Sequence, residues 1–396
     1  MKCYLLPMIP RNAISTLVEL ANKFPYVAVI GPRQSGKATL CRAAFPAKPC
    51  ISLEDPDIRE LASSSPADLL DRYPDGAILV EAQRSPELFS HLQTRADSDG
   101  RKGLYILTGP LPPDFLSGIS RFPEGRFGTL QLLPLSISEL TEAANLPADI
   151  DELLHRGMYP PLYDTSSAPV DWYSRYVSSY LDRDVRQYVN IRDISLFQRV
   201  LRRCATRTAQ ILNLSTLAKE CGISHNTARA WLSILEASHI VFFLRPHGRN
   251  FNKRLVKTPK LYFYDTGLAS WLLGIQDSAR IAAHPLRPAL FETWVISELM
   301  KGRFNRGLPS NLYFWRDNIG NEIDLLAEQG QALVPIEITS ELTITEGHFD
   351  GLRKWLSLAG EDAGRGRLIY GGDERQRRDE AAVVPWRDLD SLSERL

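Results

Sequence analysis

The chain has 396 residues, 44% of them hydrophobic and 24% charged, and its 47 basic side chains balance 47 acidic ones. That length allows two or three domains with cores of their own, the composition is that of a globular protein, and the zero net charge singles out no polyanionic or polycationic partner. Cys3, Cys41, Cys50, Cys204 and Cys221 form no CxxC pair and no metal-ligand spacing, no apolar run reaches the ~18 residues of a membrane span, and the opening MKCYLLPMIPRN has no cleavable signal layout, so a reducing, cytoplasmic setting is expected.

Residues 11–24 have the spacing of an amphipathic helix. The run Val27-Ala28-Val29-Ile30 is apolar and ends at Gly31, and a helix-compatible stretch follows from Gly36. The loop between them reads Gly31-Pro32-Arg33-Gln34-Ser35-Gly36-Lys37, the layout of a P-loop. Its glycines let backbone N–H groups wrap phosphates, the helix N-terminus faces the anion, and the lysine reaches the outer phosphates. Ala38 stands where a hydroxyl would hold Mg²⁺, and Thr39 lies about 100° further round the helix. The alternative is a chance match in a glycine-rich turn. On the first reading this chain holds a nucleotide and is poorly equipped to hydrolyse it.

Residues 50–53, 76–81 and 104–109 read as further strands between helical segments, which predicts a parallel sheet with helices on both faces. Ligands in such sheets sit at the carboxyl ends of the strands, where Gly31, Glu81 and Thr108 fall. P-loop ATPases close one strand with Asp-Glu, the Asp supporting the metal and the Glu polarising water. Here Val80-Glu81 keeps the candidate base and lacks the metal's carboxylate. Thr108 is a candidate sensor. Arg126, in the loop before an apolar run at 129–133, reads either as an arginine finger toward a neighbouring γ-phosphate or as an ion-paired surface residue.

From about Asp149 the character turns helical. Residues 171–190 carry Trp172, Tyr176, Tyr180, Leu181, Val185 and Tyr188 at helical spacing, a core-facing stripe. Residues 213–237 have the layout of a helix-turn-helix, with Ser215 and Ser224 as caps and Gly222 at the turn. The stretch after it holds Arg245, Arg249, Lys253, Arg254, Lys257 and Lys260 without an acid between Glu236 and Asp265. It reads either as the wing of a winged helix on a nucleic-acid backbone or as a packing module facing an acidic surface. The last third reads as a second α/β unit. Asp324 on one strand and Glu337 on the next, with Glu292 as a possible third carboxylate, follow the pattern of restriction-like nuclease cores. Thr339 takes the place of that pattern's lysine, so active nuclease chemistry is not expected. Structural carboxylates are the alternative. No metal site is assigned.

GPRQSGK, SLEDPD, EAQRSPELF, YILTG, LPLSISEL, YLDRDVRQ, KRLVKTPKLYFYDTGLA, LFETWVISEL, YFWRDNIGNEIDLL and PIEI, in this order, resemble a large prokaryotic family of AAA+-like ATP-binding proteins. The resemblance implies an α/β chain of three units: a P-loop, parallel-sheet AAA+-like domain (1–148), a helical and winged-helix middle (149–275) and a restriction-nuclease-like α/β domain (276–396). It implies ATP binding through residues 31–39, with Mg²⁺ as the family's usual companion. Members usually carry Lys-Thr-Thr where this chain has Lys37-Ala38-Thr39, Asp-Glu where it has Val80-Glu81, and Glu-Ile-Lys where it has Glu337-Ile338-Thr339. The expected protein is therefore a nucleotide-responsive scaffold or regulator with weak or no hydrolysis and a protein partner. Two alternatives stand beside it: an active ATPase using Glu81, and a nucleic-acid binder using Arg249, Lys253, Arg254 and Lys257.

Overall fold

The computed structural model describes residues 9–98, 100–110, 125–164, 167–187, 189, 193–248, 255–360, 364–378, 381–393 and 395–396. After helix α1 (Ile14–Lys23), the sequence YVAVI forms β1 (Tyr26–Ile30), and every residue of it is buried. Its β-branched and aromatic side chains suit a strand covered on both faces. The chain continues through α2 (Lys37–Ala44), β2 (Cys50–Ser52), α3 (Pro56–Ser64), α4 (Pro66–Asp71), β3 (Ala77–Val80), α5 (Leu88–Ser98), β4 (Tyr105–Gly109) and β5 (Phe127–Gln131). The strands form one parallel sheet of order β2-β3-β4-β1-β5.

Alternation along β1 separates two cores. Val27 and Val29 pack with Leu17 of α1 and Leu40 of α2, while Tyr26, Ala28 and Ile30 pack with residues of α3, α4 and α5. All strands run the same way, so the carboxyl ends of β1, β3 and β4 share one edge, and the loop after β1 opens there.

The chain leaves this sheet through a helix at Ile137–Glu142. A capping box between Ser136 and Glu139 starts it, satisfying two otherwise orphaned N–H groups. The middle of the chain is mostly helical. In the helix Pro169–Arg183, Trp172, Tyr176, Tyr180 and Leu181 are buried as the spacing predicts, together with Tyr173, which the stripe omitted. That helix stops at Arg183, short of the expected 190; Val185–Gln187 continues as a 3₁₀ turn, and Tyr188 lies outside the described residues. The helices Leu214–Cys221 and His225–Ala237 meet at Gly222, whose φ of 70° places it in the left-handed region. Ser224 caps the second helix as expected. The first is capped by Asn213 rather than Ser215, because it begins early enough for the Asn213 side chain to accept from Thr216 N–H. A three-stranded antiparallel sheet follows, β6 (Gln210–Ile211), β8 (Lys260–Phe263) and β7 (Val241–Leu244), with β8 central.

The last third is a six-stranded mixed sheet of order β13-β14-β12-β11-β10-β9. Its members are β9 (Leu312–Arg316), β10 (Glu322–Gln329), β11 (Ala332–Thr339), β12 (Gly366–Tyr370), β13 (Gln376–Arg377) and β14 (Ala381–Pro385). The helix Asp350–Ala359 packs on one face through Leu352 and Trp355. The helix Arg287–Asn305 lies in the largest core, which runs from Ile9 to Leu396, includes Leu133 and Leu135, and so joins the exit of the first sheet to both later units. No described helix is long and apolar enough to cross a membrane.

Candidate nucleotide-binding site

The loop after β1 is built around two glycines. A Cβ on Gly31 would lie 2.0 Å from the Leu132 carbonyl oxygen, so only glycine lets the loop leave the sheet beside β5. Gly36, at φ 92°, starts α2, a conformation that glycine adopts at no steric cost. Gly36 has no side chain to cap this helix and no acid lies in its first turn, which leaves its N–H groups and positive end to an external anion. From behind, buried Arg11 holds the loop. Its Nη1 donates to the Ser35 carbonyl at 2.6 Å, its Nη2 to the Leu133 carbonyl at 2.7 Å, and its Nε to Glu139 at 3.0 Å.

Lys37 is 5% exposed, and its Nζ donates to the carbonyls of Gly31 at 3.0 Å and Pro32 at 2.7 Å. Burial holds its amine below the ordinary lysine range, Glu81 opposing and Arg33 adding to the effect. Arg33 extends to three carboxylates: Glu54 at 2.9 Å, Asp184 at 2.9 Å and Glu81 at 3.7 Å. Despite its burial, Asp184 and Glu81 hold its guanidinium above the ordinary range. Glu81 also accepts from Gln83 Nε2 at 2.7 Å and has a left-handed backbone, φ 59°. Asp184 sits just past the Pro169–Arg183 helix, and burial raises its carboxyl above the usual range against the pull of Arg33. Glu54 and Asp184 are site neighbours to which the sequence reading gave no role, although both lie in motifs that carry the resemblance, SLEDPD and YLDRDVRQ.

The other expected residues fall as follows. Thr108, opposite Val29 and Val80 in the sheet, is 1% exposed, and its hydroxyl has no hydrogen-bond partner among the described residues; the Ser35 hydroxyl, fully buried in the loop, likewise has none among them. Gln34 takes φ 60° and is exposed, Pro32 is buried, Ala38 is half-buried, and Thr39 is exposed. Arg126 precedes β5, and its carbonyl accepts from Tyr26 N–H at 3.4 Å. It therefore stands at the amino end of β1, about 16 Å of strand rise from its own phosphate loop; the finger reading concerns the γ-phosphate of a neighbouring molecule.

Glu292, Asp324 and Glu337 do come together, but around an internal cation. Lys260 Nζ, from β8, lies 3.2 Å from Glu292 and 2.5 Å from Glu322, and Tyr262 O–H donates to Glu292 at 2.5 Å. Asp324 accepts from Ile338 N–H at 2.9 Å and hydrogen-bonds to Glu337. Burial, the neighbouring Asp324 charge and that hydrogen bond raise the Glu337 carboxyl well above its ordinary range. Burial also pushes Glu292 up to about 7, against Lys260. Among the described residues no three His, Cys, Asp or Glu side chains are grouped so as to hold a metal ion. Lys260, 3% exposed and ion-paired, is thus removed from the basic surface read in the sequence. Lys257 is exposed, and Arg249, Lys253 and Arg254 lie outside the described residues.

These residues suit a polyphosphate better than its metal. The uncapped helix, Lys37 and the orphaned Ser35 and Thr108 hydroxyls provide donors. Ala38 and Val80 offer no side-chain oxygen, and the nearby carboxylates Glu54, Glu81 and Asp184 are engaged by Arg33.

Residues 23–141 match the AAA domain family, residues 147–279 a domain of unknown function (DUF8612), and residues 287–389 a second domain of unknown function (DUF4143). Two uncharacterized mycobacterial proteins, Rv2008c of Mycobacterium tuberculosis and Mb2031c of Mycobacterium bovis, are each 28% identical over 370 residues, covering 92% of this chain and 80% of their own. Among solved structures, the Walker-type ATPase PABY2304 of Pyrococcus abyssi is similar at 14% identity, over 66% of this chain and 94% of that one, with a TM-score of 0.45. An AAA domain followed by this C-terminal domain is consistent with the AAA+-like ATP-binding family that the sequence resembles.

Proposed function

We propose that this AAA+-like protein binds ATP or ADP as a regulatory ligand and turns it over weakly or not at all. The observation that carries the reading is the division of labour around the loop. Phosphate donors are present and partly unpartnered, whereas Arg33 ties up the carboxylates that a metal would need. In this reading Gly31, Gly36 and the first N–H groups of α2 enclose the phosphates, and Lys37 leaves its carbonyl partners to neutralise them. Bound Mg²⁺ would supply charge neutralisation to the phosphates, but no side chain at 38 or 80 is equipped to hold it. Glu81, engaged by Gln83 and Arg33, is restrained from acting as a base. The Lys260-filled carboxylates support a C-terminal unit that serves as scaffold rather than nuclease.

The test is binding of a fluorescent ATP analogue with and without Mg²⁺, with phosphate release followed on the same sample. The expected result is binding that Mg²⁺ hardly changes, loss of that binding in Lys37→Ala, and no release above background. Turnover abolished by Glu81→Gln would replace this reading with an active ATPase.

A further inference from the structure

His239 occupies the turn between the His225–Ala237 helix and β7, with a left-handed backbone at φ 56°. It is 3% exposed, and its Nδ1 has no hydrogen-bond partner among the described residues, which is uncommon for a buried polar atom. The surroundings connect it to the phosphate loop. Its ring lies 5.8 Å from that of Tyr264, and Tyr264 hydrogen-bonds to the side chain of Gln131. Gln131 pairs with Ile30, the residue before Gly31, and the next carbonyl on that strand, Leu132, abuts Gly31 itself. The imidazole is also near enough to Lys37 for the ammonium charge to act on it.

We propose that His239 is a nucleotide-sensing residue: its Nδ1 donates to the outermost phosphate of a nucleoside diphosphate or triphosphate held by residues 31–37, so that the bound nucleotide tightens the seat of the three-stranded sheet on the phosphate loop. The proposal rests on the nucleotide-binding reading above and assigns it a contact from outside the AAA domain.

Without phosphate, burial and then the Lys37 charge push the imidazole down to about 3, so it is neutral, and it keeps a hydrogen bond to the Ala237 backbone. Among the described residues, Lys37 of α2 and Tyr264 just past β8 are the titratable groups facing it, with Glu236 acting on Tyr264. A polyphosphate beside Lys37 reverses the sign of the local field. The ring then takes one proton from solvent and donates it from Nδ1 to a phosphate oxygen, a charge-assisted hydrogen bond. No covalent bond changes.

The test is calorimetric titration of the full chain with ADP and with AMP in buffers of different ionisation enthalpy, which counts protons taken up on binding. His239→Asn and His239→Gly are the variants, both chosen because they tolerate a positive φ. The expected result is a higher proton uptake per ADP in the wild type than in either variant. ADP affinity should fall about tenfold or more, with AMP affinity unchanged. Wild-type affinity and proton count in both variants would overturn the sensor, as would equal losses for ADP and AMP. If Lys37→Ala abolishes ADP binding while the His239 variants do not, the phosphate-loop reading survives and this one fails. A wild-type chain that binds neither nucleotide sinks both.

Discussion

Arg33 is the residue on which the chemistry of the site turns. One guanidinium serves Glu54, Glu81 and Asp184, a fork geometry that lysine cannot copy. Its side chain and that of Asp184 are 13% and 16% exposed, so removing it leaves carboxylates poorly solvated. Arg33→Ala is expected to cost about 1–3 kcal/mol of stability, read as a lower urea midpoint at constant slope. A wild-type midpoint would show that solvent already screens the cluster. The same reasoning identifies what is missing for metal. The double variant Ala38→Thr, Val80→Asp returns one hydroxyl and one carboxylate beside the loop. Nucleotide affinity in that variant should become dependent on Mg²⁺, by about tenfold, the effect of one added charge-assisted contact; affinity still indifferent to Mg²⁺ would mean that Arg33 alone keeps the ion out. At this scale the sequence was legible only where chemistry is local. Gly31, Gly36 and Lys37 declare themselves by spacing. Arg33 and Asp184 are 151 positions apart, His239 is a lone histidine with no motif around it, and Lys260 looked like one more exposed base in a basic run.

Elements were far more legible than contacts. An all-buried β-branched strand, a glycine turn and Ser224 before an apolar-periodic helix are local signals, and local signals survive tertiary packing. The choice between Asn213 and Ser215 was less readable, since both side chains can cap and only the first N–H groups of the folded helix decide between them. Arg126 shows the other limit: its residue type fits a finger toward a neighbouring phosphate, and only the register of β5 against β1 places it at the amino end of the sheet, away from its own loop. Packing between separate elements also fixes how Lys260 on β8 meets Glu292, on the Arg287–Asn305 helix, and Glu322 on β10, with a consequence for pH. Burial holds Glu292 up to about 7 in the folded chain, against about 4.3 for a free glutamate. Between those values the folded state keeps a proton that the unfolded state gives up, so this carboxyl's contribution to stability is lost as pH rises through that window. Stability measured at pH 5 and at pH 7.5 should therefore fall less in Glu292→Gln than in the wild type. Identical slopes would show that Lys260 keeps Glu292 ionised throughout.

Across the whole molecule, the AAA sheet has two cores of its own, and beside the largest core and the Arg33–Asp184 pair a short polar bridge helps to fasten it to the rest. Glu298, in the long Arg287–Asn305 helix, accepts from Ile137 N–H at 2.6 Å, and Lys301 donates to the Leu135 carbonyl at 2.8 Å and to Glu298 at 3.0 Å. Both side chains are about 1–2% exposed. Breaking such a pair from one side strands a buried charge and costs about 3–5 kcal/mol, whereas replacing both partners with neutral groups costs less. Lys301→Met is therefore expected to loosen the AAA sheet from the later units, and Glu298→Gln combined with Lys301→Met to recover part of the loss. Denaturation followed by tryptophan fluorescence reads this directly, because Trp172, Trp294, Trp315 and Trp386 all lie outside the AAA sheet and are buried. In the wild type, ATP at a hundredfold excess over its dissociation constant should add about 2.7 kcal/mol to the unfolding that these tryptophans report, because the units come apart together. In Lys301→Met the tryptophan transition should move to lower denaturant and lose its response to ATP, while the AAA sheet keeps its own. A variant in which the tryptophans still respond fully to ATP would mean that the coupling runs through the apolar core rather than through Glu298 and Lys301.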